Sequence, residues 1–109
     1  MPQSLSFTLV HVIFSTKDRR PYINDGVIKA LYAYLAQIAR EYDCECYRVG
    51  GVADHVHLAV RLSRTISIAK LIEELKKGSS KWMKTQSSDL RFFSWQRWYG
   101  CFFSVPKES

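Results

Sequence analysis

The sequence has no long hydrophobic run and few cysteines. No apolar stretch approaches the roughly 20 residues that a membrane-spanning helix needs, and the opening MPQSLSFTLVHVIF has neither a basic start nor a small-residue cleavage site. The three cysteines are an odd number and accompany no secretion signal, so a disulfide framework is disfavoured and reduced thiols are expected. We therefore expect a cytoplasmic protein without a membrane partner.

The composition is that of one folded domain with a basic surface. Hydrophobic residues make up 47% of the 109 residues and charged residues 24%, which excludes collagen-like, low-complexity and wholly disordered chains. Sixteen Lys and Arg against ten Asp and Glu give a net charge of +6, which favours a polyanionic partner without naming it. Because the sequence contains no internal repeat and no long linker, we expect a single domain over residues 1–109.

The first third of the chain alternates between strand-like and helix-like patterns. Apolar residues on both faces predict a strand over 5–14, followed by a polar, basic loop. Apolar residues at spacings of three and four then predict a helix, which Asn24 or Asp25 can cap and which runs to about Tyr42.

The middle of the chain predicts a β-hairpin and a second helix. One strand is expected over 44–49, ending at Gly50-Gly51, and the next over 55–62. The second helix begins near Ser67, and Gly78 is expected to interrupt or weaken it.

The aromatic-rich ending FFSWQRWYGCFFSV predicts one or two short strands. Most of its aromatic side chains are expected in the core, which leaves one or two to stack on unpaired bases. The order strand, helix, strand, strand, helix, strand predicts an α+β fold. It is the order of a ferredoxin-like (RRM-like) antiparallel sheet with the helices on one face.

Two histidines in the predicted third strand share one face of the sheet. Because successive side chains of a strand point to opposite faces, His55 and His57 lie together, on the face opposite Val56 and Leu58. Since Val56 and Leu58 need burial, the histidines should lie on the face that the helices leave uncovered. Their α-carbons are about 6.5–7 Å apart, near enough for both rings to bind one metal ion. The spacing also fits two partly exposed sheet histidines without a ligand.

Four segments together resemble a known family over nearly the whole chain. They are HVIFSTKDRRPYI, GGVADHVHL, LKKGSSKWM and FFSWQRWYGCFFSV, in this order. The sequence resembles the His-hydrophobic-His (HUH) single-tyrosine transposases of bacterial insertion sequences and their relatives associated with repetitive extragenic palindromes.

The resemblance implies a protein of DNA transposition that recognises DNA hairpins and cuts single-stranded DNA with a tyrosine. It assigns a divalent ion, Mg²⁺ or Mn²⁺, to His55 and His57, where the ion would polarise the scissile phosphate. Asp54 is a candidate to orient the turn or a histidine rather than to bind the ion. The resemblance also implies a homodimer.

Two groups of basic residues are candidates for contacts with DNA phosphates. One lies in the loop after the first strand and the other on the second helix. The candidates are Lys17, Arg19, Arg20, Lys70, Lys76, Lys77, Lys81 and Lys84.

The family pattern continues with a helix that carries the nucleophilic tyrosine, whereas this sequence ends at Ser109. None of its six tyrosines matches that position, and Tyr99 belongs to the aromatic segment. We therefore expect DNA binding without cleavage. Two alternatives remain at this point: a non-catalytic module whose sheet binds single-stranded nucleic acid such as RNA, and a structural metal domain that uses Cys44, Cys46 and the two histidines.

Overall fold

The computed structural model of the protein describes residues 8–104, with side chains through Gly100. Its strands and helices are β1 (Thr8–Thr16), α1 (Ile28–Glu41), β2 (Glu45–Val52), β3 (His55–Leu62), α2 (Ile68–Met83) and β4 (Trp95–Ser104). Short 3₁₀ turns follow β1, at Lys17–Arg19, and precede β4, at Ser88–Leu90.

The four strands form one antiparallel sheet in the order β2-β3-β1-β4. The sheet and its two helices make up the predicted ferredoxin-like fold, which is confirmed. The strand with the two histidines, β3, lies inside the sheet between β2 and β1. Its backbone is therefore held by hydrogen bonds on both sides, so it provides a rigid support for a site.

The core lies between one face of the sheet and the two helices. Every second side chain of β1 and β3 is buried there, and each helix buries one apolar stripe against them. The innermost members are Val10, Val12, Phe14, Val56, Leu58, Val60, Leu31, Leu35, Leu71 and Leu75. The other face of the sheet carries no helix among residues 8–104.

Gly78 does not interrupt α2, so that part of the expectation was wrong. The helix continues through it to Met83. A β-carbon added at Gly78 would lie 2.9 Å from Cδ1 of Ile38 on α1, so the glycine allows the two helices to approach closely. Beside this contact, Tyr34 stacks on Trp82 with ring centroids 5.3 Å apart.

The start of α1 also differs from the prediction. The helix begins at Ile28, and the preceding Val27 has no side-chain cap. Asn24 accepts a hydrogen bond from the backbone N–H of Gly26 at 2.9 Å, so its side chain closes a turn ahead of the helix instead of capping it.

The strand β2 continues through both glycines to Val52, beyond its predicted end. Gly51 has a φ of 154°, and a β-carbon there would lie 2.3 Å from the carbonyl oxygen of His55. This position of the strand therefore requires glycine, because the neighbouring backbone of β3 approaches too closely for any side chain. The first strand likewise extends past Phe14 to Thr16, and its predicted beginning at residue 5 lies outside the described residues.

The aromatic ending forms a single long strand, β4, with a bulge near its start. Between the Phe14–Tyr99 and Thr16–Trp95 pairs, residues 96–98 oppose one residue of β1. The extra residues leave carbonyl groups without a ladder partner on β1.

Lys76 of α2 contacts these carbonyl groups. Its ammonium donates hydrogen bonds to the carbonyl oxygens of Gln96, Arg97 and Trp98 at 2.6, 3.2 and 3.3 Å. Burial lowers the pKa of this ammonium. The lysine therefore connects α2 to the bulge and holds the start of β4.

Candidate metal and nucleic-acid site

His55 and His57 lie on the face of the sheet that the helices leave open. His57 is exposed and His55 is one-third exposed, while Val56 and Leu58 beside them are buried. The predicted placement of the pair is therefore confirmed. It follows from the period of two in β3 together with the burial of the aliphatic residues.

Asp54 contacts the first of the two histidines. Nδ1 of His55 lies 2.9 Å from Oδ1 of Asp54, and Nε of Arg19 donates to Oδ2 at 3.3 Å. The hydrogen bond from His55 is the main cause that lowers the pKa of the Asp54 carboxyl, and Arg19 lowers it further. An ionised carboxylate keeps a proton on Nδ1, which directs the lone pair to Nε2.

The turn that carries Asp54 is tied to the end of β1. The backbone N–H of Thr16 donates to the carbonyl oxygen of Asp54 at 2.9 Å, and the Thr16 hydroxyl donates to the carbonyl oxygen of Arg20 at 2.7 Å. Thr16 is fully buried. The basic loop after β1 and the turn before His55 are consequently held side by side.

Gly50 makes room for His57. The two residues are partners across β2 and β3, and a β-carbon at Gly50 would lie 2.7 Å from Cε1 and 2.9 Å from Nε2 of the imidazole. The ring therefore lies across the glycine. This role could not be read from the sequence, because it depends on the register between the two strands.

A groove of about 520 Å³ runs beside His57 on the open face. We call it the histidine groove. Its polar and aromatic lining includes His11 of β1 together with Tyr47 and Arg48 of β2. Sequence reasoning did not assign these three residues to the site. The alternation of β1 places His11 on this face, whereas Tyr47 and Arg48 reach it at a bulge that only the structure reveals.

The residues present fit part of a metal site. Two imidazoles share one face, and the contact with Asp54 gives His55 the tautomer that a metal ligand needs. Within the described ranges, no group of three or more His, Cys, Asp or Glu side chains could hold an ion. Among the described residues, His55 and His57 are therefore the candidate ligands.

A metal domain that combines the cysteines with the histidines is not formed, so that alternative was wrong. Cys46 is the partner of Val60, three residues along β3 from His57 and hence about 10 Å away. Cys44 is buried in the core, and neither residue is in a disulfide. Of these two, Cys44 is buried and Cys46 partly buried, and the side chain of Cys101 lies outside the described residues.

The candidate phosphate-binding residues of the basic loop lie beside the histidines. Lys17, Arg19 and Arg20 are all exposed, and Arg19 contacts Asp54 as described above. This group is therefore at the same end of the sheet as His55.

The lysines of α2, and Lys84 directly after its last residue, belong to the helix layer, on the other side of the sheet from the histidines. Lys70 forms an ion pair with Glu74 at 3.0 Å, and the ammonium of Lys84 donates to the Ser80 hydroxyl at 2.7 Å. The Lys84–Ser80 contact is exposed, whereas the Glu74 side chain of the ion pair is 16% exposed. A surface pair contributes little to stability.

Among the remaining lysines of α2, Lys77 and Lys81 are exposed, while Lys76 turns inward to the bulge of β4. The three donor hydrogens of Lys76 match its three carbonyl contacts. Its ammonium is therefore occupied by carbonyl groups of the protein, whereas a phosphate-binding lysine keeps its ammonium open to solvent.

The tyrosines are divided between the two faces of the sheet. Tyr99 is the partner of the buried Phe14, so it lies on the helix side, where its ring centroid is 5.8 Å from the ammonium of Lys76. Tyr47 is half exposed and lines the histidine groove. Tyr99 is therefore separated from the histidines by the sheet.

None of the helices in residues 8–104 combines the length and the apolar character that crossing a membrane would require.

Comparison with known proteins identifies the family. The sequence matches the family described as transposase, IS200-like, over residues 4–108. The chain belongs to this family of transposases. A comparison with curated protein sequences finds no significant match.

Two solved structures share the fold of this IS200-like chain. One is the crystal structure of a protein from Deinococcus radiodurans R1 that is described as a transposase, with a TM-score of 0.81 and 21% identity over 98% of this chain and 86% of the other. The second is a tyrosine transposase associated with repetitive extragenic palindromes (REPs), bound to a REP hairpin. Its TM-score is 0.69 at 12% identity, over 98% of this chain and 64% of the other. At these identities, the likeness establishes the common fold.

Proposed function

We propose that this chain is the DNA-binding domain of a single-tyrosine transposase and that it binds single-stranded or hairpin DNA at the open face of its sheet. A divalent ion, Mg²⁺ or Mn²⁺, is held there by His55 and His57. The observation that carries the proposal is the contact between Asp54 and His55, which prepares a partly exposed imidazole as a metal ligand. The hairpin bound by the REP-associated structure supports DNA as the partner.

Each residue of the site has a distinct part in this proposal. When bound, the divalent ion supplies a Lewis acid that polarises a phosphodiester oxygen. Asp54 keeps the proton of His55 on Nδ1, and Gly50 leaves space for the ring of His57. Exposed Lys17 and Arg20 contact neighbouring phosphates of the same strand.

The lysines of α2 contact a different segment of the DNA, because the sheet separates them from the histidines. Lys77 and Lys81 are exposed, and Lys70 and Lys84 can exchange their surface partners for phosphates. A folded hairpin has enough length to extend from one side of the domain to the other, whereas a single nucleotide does not. Lys76 is omitted from the DNA-binding residues, because its donors are occupied by the bulge of β4.

The 109-residue chain binds DNA without cutting it and forms a homodimer. The position of Tyr99 behind the sheet supports the absence of cleavage. Tyr47 lines the histidine groove, so its hydroxyl is the one to test directly. The closed symmetry of most homo-oligomers favours a dimer with equivalent contacts on both subunits.

The metal site is tested by Mn²⁺ titration followed by electron paramagnetic resonance. We expect His57→Ala to abolish binding and Asp54→Asn to weaken it about 10- to 100-fold, because the amide no longer fixes the tautomer of His55. His11→Ala is the matched control from the same groove and should leave binding unchanged. Mn²⁺ binding that survives His57→Ala would contradict the assignment.

DNA binding is tested by fluorescence anisotropy over a series of salt concentrations. We expect Lys17→Gln and Arg20→Gln each to weaken binding and to reduce the salt slope by about one, whereas Lys76→Gln leaves the slope unchanged. Equal affinity for RNA of the same sequence, independent of metal, would favour the non-catalytic nucleic-acid module instead.

Cleavage is tested with end-labelled DNA and Mn²⁺ on a denaturing gel. We expect no protein-linked DNA. A linked species that disappears in Tyr47→Phe or Tyr99→Phe would identify the nucleophile within this chain and refute the proposal. Sedimentation at tens of micromolar tests the dimer, and a monomer alone would refute that part.

A further inference from the structure

A second groove, of about 360 Å³, lies beside the basic loop and apart from the histidine groove. We call it the aromatic groove, and its lining residues are Lys17, Asp18, Arg20, Tyr22, Phe92 and Ser94. Its volume is within the range of about 300–1,000 Å³ that is usual for small-ligand pockets. None of the roles given to the histidine face uses its aromatic residues.

Phe92 is unusual among the lining residues because its large apolar ring is exposed. Its side chain is 73% exposed, whereas the adjacent Phe93 is fully buried, with its ring centroid 5.3 Å from that of Tyr22. The guanidinium of Arg91 lies 4.9 Å from the ring centroid of Phe92 and donates to the carbonyl oxygen of Ser88 at 2.8 Å. Phe92 therefore contributes little to the core, and an anchored cation sits beside its ring.

The charges around the ring favour an anionic ligand. Lys17 and Arg20 line the groove, Arg91 sits beside Phe92, and Asp18 provides the one carboxylate among the lining residues. An exposed aromatic ring among cations is the arrangement that binds single-stranded nucleic acid, because the ring stacks on a base while the cations contact its phosphates. An apolar side chain of a protein partner would also pack on the ring, but such a contact would not explain the cations around it.

The aromatic groove is joined to the turn that precedes the histidines. The backbone N–H of Lys17 donates to the carbonyl oxygen of Ser94 at 3.0 Å, which holds the basic loop against the segment after Phe92. In the same loop, Arg19 contacts Asp54, which contacts His55. A DNA strand bound at the histidines therefore has this groove as its neighbour along the basic loop.

We propose that Phe92 stacks on one unpaired base of a single DNA strand whose phosphates contact Lys17 and Arg20. This inference rests on the proposed function. It adds a position where the protein binds a base of the DNA rather than its sugar-phosphate backbone. The stacked base belongs to a nucleotide that flanks the phosphate at the histidine pair.

The test uses the 109-residue protein and a fluorescein-labelled single-stranded DNA of about ten nucleotides at low salt. We expect Phe92→Leu to weaken binding at least about fivefold, since stacking of a base on an aromatic ring contributes about 1–3 kcal/mol. Phe92→Tyr should restore the affinity of the unchanged protein. Circular dichroism verifies that each variant is folded.

Oligonucleotides that lack one base at successive positions provide the matched control. At one position, removal of the base should weaken binding to the unchanged protein by the same factor, and it should not weaken binding to Phe92→Leu any further. This result would identify the stacked nucleotide.

Three results would overturn the inference and are distinguishable from one another. If the unchanged protein binds DNA in a salt-dependent way and Phe92→Leu binds equally well, the stacking site is wrong while the proposed function stands. If the unchanged protein does not bind DNA at low salt, the proposed function fails and the stacking site fails with it. A change in sedimentation of Phe92→Leu, with unchanged DNA affinity, would assign the groove to contacts between protein chains.

Discussion

Lys76→Met should destabilise the protein without affecting its contacts with DNA. The substitution keeps most of the apolar stem of the side chain and removes the ammonium that contacts the bulge of β4. The shortest hydrogen bond, 2.6 Å to the carbonyl oxygen of Gln96, is partly buried, whereas those to Arg97 and Trp98 are exposed. Water can replace the exposed bonds after the substitution, so the partly buried bond dominates the loss.

The magnitude follows from these contacts. A hydrogen bond from a charged group contributes about 1.5–3 kcal/mol. The ammonium also lies 5.6 Å from the ring centroid of Phe14 and 5.8 Å from that of Tyr99, and each such cation–π contact adds about 0.5–1 kcal/mol. Water replaces the exposed bonds, and because the ammonium is only partly buried the lower end of each range applies, so we expect a decrease of about 2.5 kcal/mol in the free energy of unfolding. For a domain of this size, this corresponds to a decrease in Tm of roughly 10–20 °C.

Urea unfolding followed by circular dichroism measures the effect, and Lys77→Met is the matched control. Lys77 is the next residue of the same helix and is exposed, so its replacement should change the free energy of unfolding by less than about 0.5 kcal/mol. The DNA assay should give the opposite ranking, with a smaller salt slope for Lys77→Met and an unchanged slope for Lys76→Met. A Lys76→Met protein that is as stable as the unchanged protein would refute the role in the bulge.

Three other substitutions or reactions test the structure. Gly51→Ala should destabilise the domain by at least about 2 kcal/mol in urea unfolding, because its φ of 154° and the close backbone of β3 exclude a side chain; Gly100→Ala, whose added carbon would lie 4.0 Å from the nearest heavy atom, is the control and should change little. Trp95→Phe should cost about 1–2 kcal/mol, since the indole N–H donates to the buried hydroxyl of Ser79 at 2.9 Å, and equal stability would contradict this. Burial raises the pKa of the Cys46 thiol, so its alkylation at pH 8.5, followed by mass spectrometry, should be slower than that of a cysteine in an unfolded peptide, and a faster reaction would contradict the placement.

The sequence by itself determined the order of the elements and the face on which the histidines lie. Both follow from local geometry: a strand turns successive side chains to opposite faces, so the burial of Val56 and Leu58 exposes His55 and His57. Asp54 was a candidate to orient the turn or a histidine because it directly precedes the pair, and the structure places its carboxylate against His55. Such inferences need only neighbours along one strand.

The tertiary structure decided what depends on pairs of elements that are distant in sequence. The register between β2 and β3 placed Gly50 beneath the ring of His57 and brought Tyr47 into the histidine groove. The close approach of α1 explains why Gly78 remains inside a helix that its conformational freedom would weaken. Lys76 was expected on the basic surface, but it supports the fold because it contacts the bulge of β4. Periodicity along a helix indicates which side a residue faces, but it does not show which carbonyl groups of another element lie on that side.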